Sequence, residues 1–67
     1  MSQTVSEEYL EGIREGRQMF RKHGIEIAHD ELDNLKRTIK SFAASSPVGQ
    51  MLRGERDFWI NQLKRRA

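Results

Sequence analysis

The sequence predicts an all-α protein, either a helical hairpin or a three-helix bundle. Apolar residues recur at helical spacing in three successive stretches. Ser45-Ser46-Pro47 separates the second stretch from the third with a helix-start signal, because a serine hydroxyl caps free backbone N–H groups and proline suits the first helical position. The predicted helices cover residues 6–23, 26–44 and 47–65 of one domain, 1–67.

The first predicted helix has start and stop signals that agree. Thr4 and Glu7 have the spacing of a capping box, and Gly24 is placed to end the helix with a positive φ. Gly12 and Gly16 lie in or beside its apolar stripe. Glycine inside a helix costs about 1 kcal/mol relative to alanine. The pair therefore predicts close approach by another backbone or a bulky side chain, with merely tolerated glycines as the alternative.

The second predicted helix carries the best core stripe, with apolar residues 4, 3, 4 and 3 positions apart as in a coiled-coil seam. A chain this short buries only about 60% of its unfolded surface, and without cysteine it has no disulfide. Self-association is the expected source of further stability, so we predict a homodimer or larger assembly. The residues assigned to it are Leu32, Leu35, Ile39, Phe42, Gly12 and Gly16.

The third predicted helix contains the residue that fits its surroundings least. Glu55 lies in the middle of an apolar face, where an unpaired carboxylate is costly. It is therefore expected to pair with a base, to lie at a rim, or to be covered by a partner. Ile60 is the opposite case, an apolar residue among bases. The predicted partner-binding residues are Met51, Glu55, Phe58, Trp59, Ile60, Arg53 and Arg56.

Charge is unevenly distributed along the chain. Residues 1–35 carry eight acids and four bases, whereas residues 36–67 carry eight bases and two acids, which gives net charges of −4 and +6. Such polarity favours pairing of the two parts, within a chain or between copies, or an anionic partner for the basic part. No apolar run is long enough for a membrane span and the N-terminus is not signal-like, so we expect a cytoplasmic protein without membrane contact.

The sequence offers no strong signal for catalysis. His29 and Asp33 have a spacing that suits two metal ligands on one helix, but a site needs at least one more ligand and none is indicated. No glycine-rich phosphate loop follows a predicted strand. We expect a protein that is not an enzyme and that holds neither a cofactor nor a metal.

A helix-turn-helix is the alternative interpretation. A turn between the second and third helices would present Gln50, Arg53 and Arg56 to a major groove of DNA. The usual glycine is missing from that turn, and Phe58 and Trp59 fit a core or an interface better than a groove. A small DNA-binding regulator is therefore the second candidate, and nucleic acid is a less favoured partner than another protein.

Two segments resemble short accessory proteins encoded by tailed phages and prophages. They are ASSPVGQMLRGERDFW, residues 44–59, and YLEGIREGR, residues 9–17. The resemblance implies a small protein that blocks or redirects a host or viral protein in the host cytoplasm. The residues alone favour the same class, since a short charged bundle without a catalytic site acts mainly by covering a surface. We therefore expect a protein-binding module, an inhibitor or an adaptor.

Overall fold

The computed structural model describes residues 6–66. They form three α-helices, α1 (Glu7–His23), α2 (Ala28–Ile39) and α3 (Pro47–Arg66), with a short 3-10 helix over Ile25–Ile27. No strand occurs in this part of the chain, which confirms the predicted all-α bundle. Within the same residues, no helix is long and apolar enough to cross a membrane.

α1 begins at a serine cap and ends at a glycine. The Oγ of Ser6 accepts a hydrogen bond from the backbone N–H of Tyr9 at 3.1 Å, which satisfies one of the free donors of the first turn. Ser6 is therefore the N-cap, and Thr4 of the predicted capping box lies outside the described residues. Gly24 has a φ of 79°, and its N–H donates to the carbonyl of Phe20 at 2.8 Å. The predicted stop is confirmed.

α2 ends at Ile39, five residues before the predicted end. The N–H groups of Ser41 and Phe42 donate to the carbonyls of Thr38 and Ile39 at 3.0 and 3.1 Å, a tighter pattern that closes the helix. The apolar spacing continues to Phe42, but this side chain is 41% exposed. The apolar core therefore does not extend to Phe42, and the chain turns through residues 40–46 towards α3.

α3 starts as the sequence predicts. The Oγ of Ser46 accepts a hydrogen bond from the N–H of Gly49 at 3.0 Å, and Pro47 is the first helical residue. The helix then continues to Arg66 without a break, so Gly49 and Gly54 do not interrupt it.

α3 is the central helix of the bundle. α1 lies beside it and runs parallel, since successive contacts join Ser6 to Gln50, Gly16 to Phe58, and Phe20 to Arg66. α2 packs on a second side of α3 and returns the chain to the end where α1 begins. The C-terminal ends of α1 and α3 consequently lie at the same end of the molecule.

Gly12 and Gly54 bring the backbones of α1 and α3 into direct contact. A Cβ on Gly12 would lie 1.9 Å from the carbonyl oxygen of Met51, and a Cβ on Gly54 would lie 2.0 Å from that of Tyr9. The contact is reciprocal, because each glycine meets the carbonyl three residues before the other. Glycine hydrogens point at these oxygens, as in the weak Cα–H···O contacts of helix interfaces. The predicted close approach is confirmed.

The segments that contain Gly12 and Gly54 resemble each other in sequence, which is visible only when α1 and α3 are compared. Residues 10–15 read LEGIRE and residues 52–57 read LRGERD, so leucine, glycine, arginine and an acid recur at the same positions in both. The shared glycines are the two residues in backbone contact.

The core is built around Trp59, which is fully buried. The rings of Phe20, Phe58 and Trp59 meet edge to face, with centroids 5.3 to 6.2 Å apart. Ala28 and Leu35 of α2 complete the buried cluster. Both outer helices therefore depend on the same aromatic side chains of α3.

Most of the residues assigned to self-association are used within a single chain. Four of them are buried there: Gly12, Gly16, Leu35 and Ile39. Because the chain's own helices cover them, they offer little surface to a second copy. Leu32 is partly buried against the core and Phe42 is exposed. Homodimerisation stays a prediction.

Gly12→Ala and Gly54→Ala are each expected to destabilise the fold by about 2 kcal/mol, since overpacking outweighs the gain in helix propensity. Gly16→Ala is expected to cost less, because its Cβ would meet the side chain of Phe58 at 2.8 Å rather than a backbone carbonyl at about 2 Å. Thermal unfolding followed by circular dichroism measures the difference, with exposed Gln18→Ala as the control. An unchanged Tm for Gly12→Ala would contradict the backbone contact.

Leu35→Ala and Ile39→Ala are each expected to lower the free energy of unfolding by about 2–5 kcal/mol, as for buried large-to-small changes. Phe42→Ala removes a larger side chain beyond the end of the core and is expected to change stability by less than about 0.5 kcal/mol. Urea unfolding compares the three variants. Equal losses in all three would show that the core extends past Ile39.

Candidate functional site

Glu55 of α3 is influenced by carboxylates of the other two helices. Its side chain is half-buried on α3, and the negative charges of Glu31 of α2 and Glu15 of α1 act on it. α1 lies directly against this part of α3, since a Cβ on Gly12 would be 2.9 Å from the backbone nitrogen of Glu55. We call Glu15, Glu31 and Glu55 the acidic cluster.

The environment of Glu55 disfavours its charge. Burial raises the pKa of the Glu55 carboxyl, and the negative charges of Glu31 and Glu15 raise it further. The indole N–H of Trp59, one turn later on α3, acts in the opposite direction. This opposition is weak, because the buried Nε1 of Trp59 has no hydrogen-bond partner among the described residues.

No base within residues 6–66 forms an ion pair with the acidic cluster. The ion pairs in this range join Arg37 to Asp33 and Arg56 to Asp57. Of the three situations expected for Glu55, pairing with a base is the one that residues 6–66 do not show.

The structure separates the predicted partner-binding residues into two groups. Phe58 and Trp59 are 8% and 0% exposed, so their assignment to a binding surface is wrong: they form the core that α1 and α2 cover. Helical periodicity correctly placed both residues on an apolar face of the third helix. It did not show that α1 and α2 cover that face. The other members are partly buried: Met51, Arg53, Glu55, Arg56 and Ile60.

The side chains of the helix-turn-helix interpretation make contacts within the chain. Oε1 of Gln50 accepts a hydrogen bond from the hydroxyl of Ser6 at 3.2 Å, and its amide nitrogen donates to the carbonyl of Ala44. Arg56 is paired with Asp57 at 3.0 Å. The seven residues between α2 and α3 also exceed the three or four typical of that motif. These contacts weaken the DNA-binding alternative.

His29 and Asp33 have the spacing of two metal ligands, but Asp33 pairs with an arginine. Asp33 accepts a hydrogen bond from Arg37, which lowers the pKa of the Asp33 carboxyl. Across the described part of the chain, no three histidine or acidic side chains are grouped so that they would hold a metal ion.

A hydrogen bond between Tyr9 and Asp57 was not predicted from the sequence. The hydroxyl of Tyr9 donates to Oδ2 of Asp57, whose Oδ1 accepts from Nε of Arg56 at 3.0 Å. The hydrogen bond to Asp57 raises the pKa of Tyr9, and burial adds to the shift. The partners are 48 residues apart, so no local pattern reveals the bond.

The chain matches no protein-family model, no curated protein and no solved structure. Its function has to be inferred from its own surface.

Glu55→Gln is expected to stabilise the protein at neutral pH. Because the folded-state pKa of Glu55 is raised, ionisation costs more in the folded chain than in the unfolded one. The parent should therefore lose stability as pH rises from the unfolded pKa, about 4.3, through the folded one. The substituted glutamine amide does not ionise, so that loss should be absent from the variant.

Urea unfolding at several pH values between about 4 and 7 measures this effect. Glu11→Gln, at an exposed position of α1, is the control. If the two variants have the same pH dependence as the parent, burial and repulsion do not act on Glu55 as described.

Proposed function

We propose that this protein is a non-enzymatic protein-binding module whose acidic cluster accepts a basic side chain of the partner. The observation that carries the proposal is Glu55, a half-buried carboxylate with two acidic neighbours and no base within the described residues. An unpaired charge in such a place reduces stability. Departures of this kind from good packing are expected at functional sites.

The chemistry of the cluster suits a lysine or an arginine of the partner. The negative charges of Glu31 and Glu15 act on Glu55, so a cation beside Glu55 offsets their effect and supplies the missing base. An arginine adds paired hydrogen bonds to a carboxylate, which give the contact direction as well as strength. Binding is then favoured by the same electrostatic cost that destabilises the free protein.

The action that follows is stoichiometric: the module covers a surface of its partner as an inhibitor or adaptor. Its small, charged helical fold suits covering a surface, and the resemblance to accessory proteins of tailed phages suits a host or viral partner in the host cytoplasm. DNA binding has lost support, since Gln50 and Arg56 make contacts within the chain.

Glu55→Gln is expected to weaken capture of the protein partner by at least about tenfold, the loss typical of a strong interface contact. The measurement is affinity capture from a bacterial host lysate, with and without nuclease, followed by titration of the captured protein. Glu11→Gln, which keeps the cluster intact, is expected to bind like the parent.

Circular dichroism of each variant separates loss of binding from loss of fold. Undiminished binding by well-folded Glu55→Gln would refute the role of the acidic cluster. Capture that disappears on nuclease treatment would instead favour the DNA-binding alternative.

A further inference from the structure

The parallel arrangement of α1 and α3 forms a groove of about 310 Å³ on their shared surface. Ile13 and Phe58 supply its apolar lining. Its polar lining comes from two α1 residues and four α3 residues: Tyr9, Arg17, Asp57, Asn61, Gln62 and Arg65. No residue of the acidic cluster lines the groove, so it is a separate feature from the surface to which the protein-binding proposal refers.

The groove carries positive charge that the chain does not neutralise. Its one carboxylate is Asp57, whose two oxygens are already engaged by Arg56 and by the hydroxyl of Tyr9. Within residues 6–66, neither Arg17 nor Arg65 forms an ion pair. Two guanidinium groups are therefore available to a ligand.

Helix dipoles explain only one of these two arginines. Arg65 lies in the last turn of α3, where a cation is favoured by the negative end of the helix. Arg17 lies in the interior of α1, whose last turn already has Arg21, Lys22 and His23. The dipole therefore does not account for Arg17, which lines the groove together with Arg65.

We infer that this groove binds a phosphate monoester that carries an apolar group. Two guanidinium groups match the two negative charges and the several oxygens of a phosphate monoester, and arginine binds such groups with paired hydrogen bonds. The amides of Asn61 and Gln62 offer further donors. The volume is at the lower limit for small-ligand pockets, and Ile13 and Phe58 would contact the apolar part.

Phenyl phosphate is the probe, titrated calorimetrically into the full chain at low ionic strength. Arg17→Gln and Arg65→Gln are each expected to weaken its binding by about tenfold or more, the loss expected for a hydrogen bond to a charged group. Arg14→Gln, an exposed arginine of α1 that does not line the groove, is the matched control and should bind like the parent.

Two comparison ligands test the assigned chemistry. Benzoate keeps the ring with one negative charge, and inorganic phosphate keeps the charge without the ring; both are expected to bind more weakly than phenyl phosphate. Absence of phenyl phosphate binding by the parent, or equal loss in all three arginine variants, would overturn the proposal. Neither result would affect capture of a protein partner that depends on Glu55, so the two proposals fail separately.

Discussion

The backbone contact between α1 and α3 at Gly12 and Gly54 is the constraint on which the rest of this structure depends. Each glycine faces a carbonyl oxygen so closely that a Cβ would not fit, so the contact sets both the separation and the register of the two helices. Gly16 then lies over the ring of Phe58, and the hydroxyl of Tyr9 reaches Asp57. The position of α3 in turn provides the surface on which α2 packs.

The parallel packing of α1 and α3 brings together charges that lie far apart along the chain. Along the chain, acids predominate in residues 1–35 and bases in residues 36–67. In the fold, Arg17 from the first part and Arg65 from the second line one groove, and the charges of two acids of the first part act on Glu55 from the second. Charges that are segregated in sequence are therefore mixed in space, and the surface has an acidic cluster and a basic groove.

The core and the acidic cluster meet at Trp59. Its ring is fully buried and contacts both other core aromatics, while its indole N–H has no hydrogen-bond partner within residues 6–66. One turn earlier, Glu55 is half-buried without a base. An unpartnered indole N–H and a half-buried carboxylate without a base thus lie one turn apart in a small domain with little stability to spare. Protonation of Glu55, or a cation from a partner, would relieve part of this cost.

The sequence alone determined the elements whose signals are local. The cap at Ser46, the stop at Gly24 and the three helices follow from hydrogen bonds and conformations that neighbouring residues decide. Only the tertiary structure decided which faces are covered: it placed Phe58 and Trp59 in the core, ended α2 at Ile39, and left Glu55 beside other acids. Helical periodicity defines an apolar face, but whether a neighbouring helix or a partner covers that face depends on contacts between distant parts of the chain.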